Sequence, residues 1–163
     1  MLSFLSAKRT RGFTLIELLV VIGVLTILLA IVLVAINPAR QFSQANDTQR
    51  RSDVNAILNA IHQYGADNKG ALPTGITTTV KTITSTVGAG NVDLCTLLVP
   101  LYLADIPIDP LDSVGSETPA NSICTDALAT YDSGYTVSKN ADNRVTVTAT
   151  PEITPPATIS VTR

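Results

Sequence analysis

The sequence predicts an α+β fold in which one long N-terminal helix packs on a small antiparallel β-sheet headpiece. Three observations carry this expectation. Residues 13–36 form a 24-residue apolar run with one charged side chain, Glu17. Further on, Val54, Ile57, Leu58, Ile61 and Tyr64 recur at helical spacing and mark one buried face. Near the end, residues 134–138 and 145–149 alternate branched and polar side chains around a turn at 140–143, a hairpin signature.

A chain of 163 residues has room for about one domain and an anchor. It holds 11 basic and 13 acidic side chains, and three of the basic ones, Lys8, Arg9 and Arg11, lie in the first 12 residues. Without them, eight basic groups face 13 acidic ones, so the body is acidic. Phosphate binding needs a cationic surface, which argues against general nucleic-acid binding. With three Phe, four Tyr and no Trp, the core must be built from Val, Ile and Leu.

Residues 1–12 form a short basic leader with no apolar block of their own, unlike a secretory signal, whose apolar stretch precedes its cleavage site. The apolar block begins after Gly12, and no Ala-x-Ala pattern follows it, so it is expected to stay in the mature chain. As a helix, residues 13–36 would extend about 36 Å, enough for a hydrocarbon core of roughly 30 Å. The basic leader sets its N-terminal side in the cytoplasm and the rest outside. Glu17 is the anomaly. A charge at the bilayer centre costs roughly 2.5–3.5 kcal/mol, and less near an edge. Two readings stand: an interfacial carboxylate reaching headgroups, or an acid that awaits a partner charge.

The run Arg11-Gly12-Phe13-Thr14-Leu15-Ile16-Glu17-Leu18-Leu19 resembles the processing and methylation motif of type IV prepilins and of type II secretion pseudopilins. Asn37-Pro38, Arg50-Arg51-Ser52-Asp53, Tyr64 and Ala71-Leu72-Pro73 extend the similarity over roughly the first 73 residues. The resemblance implies a pilin-like fold and cleavage after Gly12 by prepilin peptidase, a membrane-embedded aspartic peptidase. It also implies methylation of the new Phe13 amine, and a Glu17 that neutralises the Phe13 ammonium of a neighbouring subunit. Such a pair would relieve the buried acid, since opposite charges attract strongly at low dielectric while either alone is penalised.

The implied protein is a structural subunit and not an enzyme. It would cross the inner (cytoplasmic) membrane once, N-terminus in the cytoplasm, and then be drawn by pilus or secretion machinery into a homo-oligomeric helical filament at the cell surface. Lipid is as apolar as a neighbouring helix, so packing and the Glu17 pair would supply specificity. The alternatives are a pseudopilin of a type II secretion system, a DNA-uptake pilin, and a single-span anchored protein that never polymerises. Family members commonly carry a proline at the place of Val34. Here the proline is Pro38, so a weak point of the helix is expected between Val34 and Phe42.

Residues 37–64 read as the amphipathic half of the helix, with Arg50, Arg51, Asp53, Asn55 and Gln63 outside its apolar face; Gly65 and Asn68-Lys69-Gly70 supply the stop. Residues 65–150 form the headpiece. Within it, 74–90 is a Thr-rich loop with a short strand at 80–86, and 94–103 is a short helix or turn broken by Pro100. Residues 105–110 must be an ordered loop, because two prolines forbid ladder pairing. That loop is similar to a segment of major pseudopilins and related pilins. Residues 151–163 hold three prolines and are expected to be a flexible tail, with an added edge segment at Ile159-Ser160-Val161 as the alternative.

No hydrolytic constellation, phosphate loop or Cys/His ligand cluster is present in the sequence. His62, the single histidine, reads as a surface or helix-packing residue. Cys95 and Cys124 can form a disulfide if their side of the membrane is oxidising, or remain two buried thiols. No cofactor is expected except calcium, for which Asp105, Asp109 and Asp112 offer oxygen ligands in a proline-ordered loop. Major pseudopilins bind calcium in their C-terminal loops, although solvated loop acids explain the same residues. DNA binding would need a basic groove built from Lys69, Lys81, Lys139 and Arg144. Asn46-Asp47-Thr48 fits a glycosylation sequon but falls within the expected helix.

Overall fold

The computed structural model describes residues 12–35, 37–86, 88–111, 124, 130–153, 155 and 157–163. The leader up to Arg11, and the polar loop around Cys124 with Asp112, lie outside the described residues. The chain divides into two compact units, Met1–Ala39 and Arg40–Arg163.

The first unit holds α1, Leu15–Ala35, of 21 residues. Its length is about 30 Å at 1.5 Å per residue, and its apolar side chains from Leu15 to Leu33 are exposed. It is long and apolar enough to cross a membrane. A second helix, α2, runs over Pro38–Asp67. The long helix expected over 14–64, bent near Pro38, is two helices that part inside the 34–42 window where its weak point is expected. Proline explains the position: it disfavours helical geometry at Asn37, yet fits the first helical position, where an N–H would have no partner.

In the second unit, α2 contributes Val54, Ile57, Leu58, Ala60 and Ile61 to the core. The helix continues past Tyr64 to Asp67 and stops where Lys69 and Gly70 take positive φ, 57° and 87°. The Gly70 N–H then reaches back to the Gly65 carbonyl at 2.7 Å. The strands are β1 (Lys81–Thr84), β2 (Asn91–Val92), β3 (Asp132–Lys139), β4 (Val145–Ala149) and β5 (Ile159–Thr162), with a single turn of helix, α3 (Cys95–Leu98), after β2. The sheet order is β2-β1-β3-β4-β5; β1 and β2 are parallel and all other pairs antiparallel.

Alternation along the strands sends Tyr135 and Val137 of β3, and Val145, Val147 and Ala149 of β4, into the core with the α2 face. The expected hairpin is β3–β4, and Asn140 closes its turn by accepting the Asp142 and Arg144 N–H groups at 3.0 and 2.8 Å. Gly75 packs the preceding loop against β2. Its φ is +100°, and a Cβ there would sit 2.7 Å from Val92 Cγ2, so both backbone and space require glycine.

The C-terminal segment is not a free tail. Ile159–Thr162 pairs with β4 as an edge strand, in register from Thr146↔Thr162 to Ala149↔Ile159. The physical reason lies upstream: the N–H groups of Glu152 and Ile153 bond the Asp47 carboxylate at 2.8 and 3.1 Å, anchoring the chain before its prolines end.

Candidate functional site

Two polar constellations stand out, one in each unit. At the start of α1, Gly12 and Phe13 are exposed, Phe13 at 86%, and a Cβ built on Gly12 meets nothing within 4 Å. The peptide between them is open to approach. Thr14 and Glu17 then form a reciprocal cap. The Thr14 N–H and hydroxyl donate to Glu17 Oε2 at 2.8 and 2.7 Å, while the Glu17 N–H donates to Thr14 Oγ1 at 3.3 Å. This is the Thr-x-x-Glu capping box, which satisfies orphan N–H groups of the first turn. Both bonds to the carboxylate fall on Oε2. Oε1 is left able to accept a further donor. The sequence reading of Glu17 missed this local role, although the Thr-x-x-Glu spacing before an apolar run is its signal.

Residues 7–33 match the family model of the prokaryotic N-terminal methylation motif. The chain carries a prepilin-type signal. The match covers the basic end of the leader from residue 7, the Gly12–Phe13 junction, Glu17 and all but the last two residues of α1. No curated protein and no solved structure matches the chain. The signal and an apolar helix able to span a bilayer together fit a single-pass anchor and a prepilin peptidase substrate of pilin-like layout.

The second constellation surrounds Arg50, which sequence periodicity set on the polar side of α2. It is instead buried, as is Asp53. Arg50 grips Asp109 in a two-bond fork, Nε to Oδ2 at 2.5 Å and Nη2 to Oδ1 at 2.7 Å, and its Nη1 donates to Asp47 at 2.8 Å and Glu152 at 2.9 Å. Asp53 accepts from the Tyr135 hydroxyl and the Gln49 amide, both at 2.8 Å. One guanidinium thus ties α2 to the 105–110 loop and to the segment that leads to β5. The missed signal is phase: Arg50 precedes Val54, Ile57 and Ile61 by 4, 7 and 11 positions, so it lies on their face.

Charge and burial oppose each other here. Hydrogen bonding by Asp109 outweighs burial and holds the Arg50 guanidinium charged more firmly than usual. Burial works against the Asp47 carboxylate, but the N–H groups of Glu152 and Ile153, with Arg50, hold it below the ordinary range. The Asn46 amide, helped by Ser43 and Arg50, does the same for Glu152 against the pull of burial. Asp53 goes the other way, raised mainly by burial and further by the nearby Asp109 charge.

Of the expected calcium ligands, Asp109 has both oxygens engaged by Arg50, Asp105 Oδ1 accepts the Ile106 N–H at 2.9 Å, and Asp112 lies outside the described residues. Among the described residues no group of three metal-ligating side chains comes together. Cys95 and Cys124 are joined in a disulfide with Cα atoms 5.2 Å apart. His62 sits in α2 with a buried Nε2 that has no hydrogen-bond partner among the described residues. Of the four cations a DNA groove would need, Lys139 alone lines the cleft formed by residues 70–76, and its ammonium donates to Asn143 at 3.1 Å. Asn46 of the sequon uses its amide on Glu152 at 2.7 Å.

Proposed function

We propose that the chain is a structural subunit of a type IV pilus-like filament. Prepilin peptidase cuts between Gly12 and Phe13, the Phe13 amine is methylated, and α1 holds the subunit in the membrane until it joins a bundle of like helices. The observation that carries this reading is the methylation motif over residues 7–33, coincident with an exposed, membrane-length α1. The cap at Thr14 adds a physical route for assembly. Glu17 keeps its own helix start through Oε2 and can take the Phe13 ammonium of a neighbour on Oε1. No new desolvation of an unpaired acid is then needed as the helix leaves lipid.

A type II secretion pseudopilin is the second reading, favoured by the loop Ile106-Pro107-Ile108-Asp109-Pro110, whereas the Cys95–Cys124 disulfide favours a pilin. The test is filament formation in cells that carry an assembly system. Wild type should appear in sheared filaments, while Glu17→Gln and Glu17→Ala should leave cleaved subunits in the membrane. Normal assembly of both variants would reject the charge pair. Failure of the wild type to polymerise would reject the filament reading.

A further inference from the structure

Among the described residues the β5 edge of the sheet is open. β5 pairs with β4 on one side, and no described strand pairs with its other side. Arg163 and Val145 exchange both backbone bonds, at 3.0 and 2.7 Å. By the alternation of antiparallel ladders, Val161 and Ile159 also turn their N–H and C=O groups to β4, and Ser160 and Thr162 turn theirs to the open side. Native edges are blunted by short length, a lysine, a proline or a bulge; β5 is short, at four residues, but contains no lysine or proline and pairs in regular register.

A groove follows this edge along α2. Gln44, Thr48, Arg51 and Asn55 form one helical stripe on its first wall, and Ile153, Pro155 and residues 158–161 line the second. Two clefts of about 360 and 310 Å³ make it up, and Arg51 lines both. Asp47 also lines it, but that carboxylate is held by Arg50 and by two backbone N–H groups. The Arg51 guanidinium is different: it is exposed and makes no hydrogen bond or ion pair among the described residues. A strand laid against β5 would take its backbone bonds from Ser160 and Thr162 and turn alternate side chains toward the helical stripe.

We propose that this groove binds an extended segment of a partner protein by strand addition, with a carboxylate of that segment paired to Arg51. Charge complementarity selects the occupant. A second copy's β5 would bring Ile159, Ser160, Val161, Thr162 and then Arg163, whose side chains include no acid and add a further cation to the groove. The inference is independent of filament formation.

The test titrates the full chain in detergent micelles with the fluorescein-labelled peptide Thr-Val-Thr-Glu-Val-Thr-Val, and with its counterpart carrying Lys for Glu. The acidic peptide should bind saturably by anisotropy, at least about tenfold tighter than the basic one. Arg51→Glu should reverse that order. Ser160→Pro, which removes an outward N–H and no bond to β4, should weaken binding by about tenfold with an unchanged thermal midpoint. If Ser160→Pro unfolds, the charge reversal decides. Equal binding of the two peptides, no binding up to about 1 mM, or an unaltered order in Arg51→Glu overturns the proposal. So does binding of a sulfated oligosaccharide in place of the peptide, or self-association that occupies the edge and excludes it.

Discussion

The Glu17 carboxylate caps the helix that carries it, accepting the Thr14 N–H at 2.8 Å and the Thr14 hydroxyl at 2.7 Å. Cap and intersubunit charge are therefore separable roles of one side chain. Thr14→Ala should lose the cap, at about 1 kcal/mol of helix stability, yet still assemble. Glu17→Gln should keep the helix start, since glutamine also serves in a capping box, yet fail to assemble. Amide protection of residues 15–18 in micelles reads the first effect, and filament yield reads the second.

Arg50 is the one cation paired with Asp47, Asp109 and Glu152 in a largely buried setting, so its removal should be costly. Arg50→Met should destabilise the headpiece by about 3–5 kcal/mol, because Asp47 and Asp109 are left buried without their cation. Arg50→Lys should recover part of this, since an ammonium cannot reproduce the fork on Asp109. Urea unfolding followed by circular dichroism of the full chain in micelles measures both.

Acid should loosen the same cluster. Asp47 and Glu152 have folded values below their ordinary 3.8 and 4.5. Their stabilisation is present above those ordinary values and is lost as pH falls through the lower folded ones. Asp53, with its folded value raised above 3.8, has the opposite sign: its contribution is present below that value and lost as pH rises through the folded one. Unfolding between pH 7 and 3 should therefore show an acid limb that Asp47→Asn flattens and Asp53→Asn steepens.

The disulfide closes a loop of sequence separation 29 onto the single turn of α3. Removing it with Cys95→Ser and Cys124→Ser together should cost about 2–4 kcal/mol. Comparison of thermal midpoints with and without reductant checks this, and the double variant should be indifferent to reductant.

Local pattern made much of this molecule legible. The apolar run gave α1, helical spacing gave the buried face of α2, and two-residue alternation gave the β3–β4 hairpin. The readings that changed depend on long-range contacts. Arg50 looked like a surface cation because its partners Asp109 and Glu152 lie 59 and 102 residues away. Residues 159–162 looked like tail because nothing local shows that Asp47 anchors residues 152 and 153. The break before α2 was legible from Pro38, and the capping box was legible too, but the carboxylate's charge drew attention from its spacing to Thr14.

The most direct measurement is the intact mass and N-terminal sequence of the chain purified from membranes of cells that contain prepilin peptidase. Loss of residues 1–12 and an N-methylated Phe13 is the expected result. A chain that retains Met1–Gly12, or that starts elsewhere with an unmodified amine, would contradict the assignment of Gly12, Phe13 and Glu17 to one processing and assembly device.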